Sequence, residues 1–133
     1  MRKLKQRTAL ILTTVAMLAG SVAVSGPANA ASSPIDACGG GSYHVIDSHD
    51  LGAATIYLLY NGSTNCVVTW KDSPDSTWVS ARISLGDWES VRLDSGRYST
   101  YAGPVKINAA GRCISWGGTY GPKYYYSPLE HCG

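Results

Sequence analysis

His131 stands between Glu130 and Cys132, and an imidazole beside a carboxylate is the usual material of a general base. Hydrolysis would also need a reactive Ser or Cys and a third, orienting group. No G-x-S-x-G elbow occurs, and all four cysteines are expected to be oxidised, so a solvated or locally bonded imidazole is the simpler reading. The stretch His44-Val45-Ile46-Asp47-Ser48-His49-Asp50 holds four potential metal ligands in seven residues. On a strand His44 points one way while Asp47 and His49 point the other, which splits the set, and no metal site is expected. Asp72-Ser73-Pro74-Asp75 could offer carboxylates to calcium, but the EF-hand pattern is missing and turn chemistry explains the residues. A glycosidase needs two carboxyls at a set separation, and the scattered acids single out no pair. With no phosphate loop or dinucleotide fingerprint, no cofactor is expected and no residue is assigned a catalytic role.

Aromatic side chains carry the clearest binding signal. In the run 78–85, Val79, Ala81, Ile83 and Leu85 form one side, and Trp78, Ser80, Arg82 and Ser84 form the other. Trp88 falls on that second side in the favoured hairpin register, and Tyr124, Tyr125 and Tyr126 cluster in the tail. Such rings could stack on sugars or on a partner protein if the face is open. In a chain that lacks Phe and must build its core from Trp and Tyr, the simpler expectation is that the face is covered and both tryptophans are core.

The elements that must position these residues follow from composition and punctuation. The chain opens with Arg2, Lys3, Lys5 and Arg7, continues uncharged from Thr8 to Val24, and reaches Ala28-Asn29-Ala30 after Gly26-Pro27. That is the layout of a cleaved signal peptide over 1–30, and the breaks within it argue against a membrane anchor. Its removal leaves seven Lys and Arg against nine Asp and Glu, a formal charge of −2. No basic cluster remains, so neither nucleic acid nor a membrane surface is an expected partner.

Residues 31–133 have the length of one small domain whose core needs staples. Cys38, Cys66, Cys113 and Cys132 all lie there, an even number in an exported chain, without the C-x-x-C pairs of a zinc site; two disulfides are expected. Residues 31–41, with Ser32-Ser33-Pro34 and three consecutive glycines, are expected as a loose lead-in held only at Cys38. Beyond them no helical period is found, and about eight short strands are expected at 43–47, 54–60, 66–70, 78–85, 88–93, 97–101, 105–109 and 112–116. The fold class is therefore all-β, a small antiparallel sandwich or barrel.

Register can be argued for two hairpins. A turn at Ala110-Gly111 sets Ile107 against Ile114 and Val105 against Trp116, while a three-residue loop at 85–87 pairs Ala81 with Val91 and Val79 with Leu93. An up-down-up meander brings the start of its first strand beside the start of its third, which favours Cys38 with Cys66 and hence Cys113 with Cys132. The nested pairing, Cys38 with Cys132 and Cys66 with Cys113, stays open on sequence grounds.

The chain resembles the spore-associated protein A family of small secreted actinomycete proteins. The resemblance runs through Cys38-Gly39, Val45-Ile46-Asp47-Ser48, Val67-Val68-Thr69, Tyr101-Ala102-Gly103-Pro104-Val105 and Cys113-Ile114-Ser115-Trp116-Gly117-Gly118, and ends in Glu130-His131-Cys132-Gly133. It implies secretion and residence at the spore or cell surface, with surface or cell-wall components as partners, polysaccharide among them, and it brings no active-site map. The expected function is non-enzymatic, structural or interactive. The competing readings are a carbohydrate-binding module, a secreted protease inhibitor and, third, a hydrolase without a recognisable motif. Inhibitors of the subtilisin-inhibitor kind usually carry a reactive loop such as C-P-x-x-x-D-P, and that loop is absent.

Overall fold

Residues 31–133 are described here by a computed structural model, and the signal-peptide reading of 1–30 lies outside the described residues. Residues 33–133 form one compact unit. Eight strands make two antiparallel sheets. In chain order they are β1 (His44–Asp50), β2 (Ala54–Tyr60), β3 (Thr64–Lys71), β4 (Val79–Ser84), β5 (Arg92–Gly96), β6 (Tyr101–Asn108), β7 (Ser115–Tyr120) and β8 (Lys123–Tyr126). The first sheet has the order β1-β2-β3-β6, and the second has β5-β4-β7-β8.

The sheets face each other across one apolar core. Ile56, Leu58, Val67, Val105 and Ile107 come from the first, and Val79, Ala81, Ile83 and Trp116 from the second. Alternation along β4 puts Val79, Ala81 and Ile83 inward, and full burial of a side chain the size of Val79 or Ile83 stabilises by about 1.5–3 kcal/mol.

The first sheet has a second, smaller core on its other face, where Cys38, Leu59, Cys66 and Val68 are buried beneath a helix, α1 (Pro34–Cys38). The loose lead-in expected over 31–41 is thus corrected. Ser33 caps α1 by accepting a hydrogen bond from the Asp36 amide at 3.0 Å, Pro34 begins it, and Gly39 ends it at φ 117°. The signals are those of a helix start and stop, but five residues are too few to show a period.

β1, β2 and β3 form the expected meander. Asn61 closes its second turn by accepting from the amides of Ser63 and Thr64 at 3.0 and 2.8 Å. Disulfides join Cys38 to Cys66 and Cys113 to Cys132.

Both hairpin registers differ from expectation. β6 pairs with β3 and β7 with β4, so residues 109–114 carry the chain from one sheet to the other. Ile107 and Ile114 meet in the shared core without facing each other in a ladder, as do Val105 and Trp116. β4 and β5 do pair, but Val79 lies opposite Gly96, Ala81 opposite Asp94 and Arg82 opposite Leu93. The cause is local. Asp87 accepts from the Ser90 amide at 2.8 Å and caps a 3-10 turn over Trp88–Ser90, which lengthens the connection and moves the register by three residues. The expected strand at 97–101 is also absent: the chain turns there, and β6 begins at Tyr101.

Candidate functional site

The outer face of the second sheet gathers most of the expected binding residues. Arg82 lies opposite Leu93 on one side and Gly117 on the other, and Gly117 lies opposite Tyr126. One row therefore runs Leu93, Arg82, Gly117, Tyr126 across all four strands. Two residues along each strand the next row is Ser95, Ser80, Thr119 and Tyr124, where the Ser80 and Thr119 hydroxyls bond at 2.8 Å. Trp78 continues the outward alternation of β4, and its carbonyl accepts from the Gly121 amide at 2.8 Å.

Exposure on this face is unusual for such side chains. Trp88 is 89% exposed, Tyr124 69%, Trp78 47% and Tyr126 43%, with Leu93 and Leu129 also exposed beside them. Ser80 and Ser84 are buried beneath, so the rings and Arg82 make up the surface. Tyr126 packs over Gly117, where a Cβ would stand 2.8 Å from its Cδ1. The Arg82 guanidinium lies 5.4 Å from the Tyr126 ring centroid, and the Tyr124 and Tyr126 centroids are 5.8 Å apart. At one end Arg82, Ser84, Asp87, Trp88, Ser115 and Leu129 line an open groove of about 370 Å³.

Tyr125 does not join its neighbours. It points from β8 towards the core, stacks on His49 at 3.8 Å and meets Trp116 edge-on at 5.5 Å. Partial burial first, then the charges of Glu130 and Asp47, hold its phenol above the usual range.

Asp47 from β1, and Glu130 and His131 from the tail, form a separate polar cluster. His131 Nε2 lies 3.0 Å from Asp47 Oδ2 and 3.7 Å from Glu130 Oε2, and Glu130 Oε2 accepts from Trp116 Nε1 at 2.8 Å. Their ligand atoms lie within 4.8 Å of one another. Hydrogen bonding accounts for that approach, and it ties the tail to β1. Among the described residues no hydroxyl nucleophile is bonded to His131. His44 takes no part, its Nδ1 lying 3.3 Å from the Ser42 carbonyl.

Asp75, weighed in sequence as turn former or calcium ligand, has a different partner. Lys71 is fully buried, and its ammonium donates to Asp75 Oδ1 at 2.6 Å and to the carbonyls of Asp75, Thr77 and Tyr98 at 3.0, 2.8 and 2.6 Å. The Tyr120 hydroxyl bonds the other carboxylate oxygen. The hydrogen bond from Lys71, then that from Tyr120, holds the Asp75 carboxyl far below the ordinary carboxylate range. Sequence reasoning missed Lys71, because nothing in the string marks a lysine as buried. This clasp fixes the loop 72–78 that delivers Trp78.

No family model matches the chain, and no solved structure matches it significantly. Among curated proteins it is similar to spore-associated protein A of Streptomyces coelicolor, with 33% identity over 138 residues, covering 96% of this chain and 89% of that protein.

Proposed function

The chain belongs to the spore-associated protein A family, and from that premise we propose that it is a secreted, non-enzymatic protein held at the spore or cell surface by adsorption through the outer face of its second sheet. The observation that carries this reading is the collection of Trp78, Trp88, Tyr124 and Tyr126 on one uncovered face. Large apolar side chains grouped at a surface mark contact sites, because exposing them to water is unfavourable unless a partner covers them. The first sheet has its outer face covered by α1 and a disulfide, and the second has no such cover among the described residues. Two disulfides suit an oxidising, extracellular setting.

Incubating protein purified from culture medium with washed spores and with vegetative mycelium tests the reading. Co-sedimentation with either is expected, and Trp78→Ala with Trp88→Ala should release the protein into the supernatant. Wild-type protein that stays in the supernatant in both incubations would overturn it.

A further inference from the structure

We propose that the outer face of the second sheet takes a neutral, extended polysaccharide, its pyranose rings stacked on Trp88, Tyr126 and Tyr124 and its oxygens bonded to the guanidinium of Arg82. This rests on the surface-attachment reading and names the ligand class of the same face.

Arg82 carries five N–H donors and cannot shed its charge. Among the described residues it has no carboxylate and no hydrogen-bond acceptor, only the ring of Tyr126 at 5.4 Å, and a cation–π contact leaves in-plane donors free. An apolar protein surface laid over this face would bury those donors unmatched, a cost that offsets the gain from covering the rings. A sugar offers both halves of the match. Its C–H face stacks on an aromatic ring, and its hydroxyl and ring oxygens accept from a guanidinium.

From Trp78 to Ser84 the strand rises about 20 Å, and the four strands span roughly 14 Å across, so the rings lie along a strip long enough for several sugar units. Gly117 presents no side chain between Arg82 and Tyr126, which lets the Tyr126 ring settle against the sheet as a platform. Trp88 stands beside the groove end of the strip, where a chain can continue past Leu129.

Charge decides which polysaccharide. Residues 31–133 carry a formal −2, Asp87 lines the groove with Trp88, and Arg82 is the one cation lining it. Polyanions are drawn by many cations acting together, which this face lacks. Retention should therefore be insensitive to salt, as hydrogen bonding and stacking are not screened the way charge attraction is.

Affinity electrophoresis of culture-purified protein in gels containing hydroxyethyl cellulose or glycol chitin, with calorimetric titration of cellohexaose and chitohexaose, tests the proposal. The wild type should be retarded by at least one polymer, equally at low and high salt. Trp88→Ala and Arg82→Ala should each weaken binding about tenfold (roughly 1.4 kcal/mol). Ile35→Ala, on α1 over the other sheet, should bind as wild type, and thermal melts check that every variant folds. Retardation by no polymer, equal binding by the Trp88 and Arg82 variants, or binding abolished by salt would each overturn the inference. So would a dimer that Trp88→Ala dissociates, which would assign the face to a second copy. Spores that retain the wild type while no polysaccharide does would remove this ligand and leave surface attachment standing.

Discussion

Replacing Lys71 with Met keeps the apolar stem and deletes the ammonium that gathers loop 72–78. The structure sets the size of the effect. Three backbone carbonyls, those of Asp75, Thr77 and Tyr98, lose a charged donor in a place where the lysine side chain has no exposure. An unsatisfied buried acceptor costs about 1–3 kcal/mol, and water entering along the loop would relieve part of that. The ion pair with Asp75 adds little, since that carboxylate is more than a third exposed and its attraction is screened. The expected loss is about 3–5 kcal/mol, which for a domain near a hundred residues lowers the melting midpoint by roughly 15–30 °C. Circular-dichroism melting of wild type and variant with disulfides intact reads it directly. The variant should also quench or red-shift Trp78 fluorescence below the transition, because the loop that carries it loses its anchor. A Lys71→Met protein within about 1 kcal/mol of wild type would refute the account of the lysine as the clasp of that loop.

Asp75 has a folded-state pKa depressed below its unfolded value, so its stabilisation is present above about pH 4 and is lost as pH falls further. Urea titrations between about pH 6 and 2 should show a slope that Asp75→Asn flattens, and an unchanged slope would contradict the assignment. The Cys113–Cys132 bridge closes a loop of 19 residues, and Cys113→Ser with Cys132→Ser should cost about 3 kcal/mol by loop entropy, read as a shift of the urea midpoint. Gly118→Ala would drive a methyl into the Ser80 carbonyl and the Thr69 hydroxyl, and should melt far below Gly111→Ala, where nothing lies within 4 Å and the φ of 69° is the one penalty.

The order of these elements was partly legible in the string, and the failures share a cause. Alternation in 54–60 and 78–85, and the turn at Asn61-Gly62-Ser63, mark real strands and a real turn because each is a local property. Meander geometry likewise places Cys38 beside Cys66 from the direction of three consecutive strands. The β4–β5 register went wrong because an Asp cap on a 3-10 turn changes loop length without changing the apolar pattern. The pairing of β6 with β3 joins residues as distant in sequence as Thr64 and Asn108, which no local period records.

Gly117 and Gly118 explain why the binding face itself was only half visible. In sequence, paired glycines after Trp116 read as the end of a strand. In the structure both sit inside β7, and each is there because something approaches too closely for a side chain: the Ser80 carbonyl and Thr69 hydroxyl at Gly118, and the Tyr125 backbone and Tyr126 ring at Gly117. Once β7 continues through them to Tyr120, β8 has a strand to pair with, and the tail becomes the fourth strand of the sheet. Alternation along β8 then divides the three tyrosines, sending Tyr125 inward to His49 and setting Tyr124 and Tyr126 outward beside Arg82. The same glycine that hides the strand from a sequence reader supplies the gap over which Tyr126 lies. A side chain at position 117 would therefore displace the ring from Arg82 even if the sheet survived it.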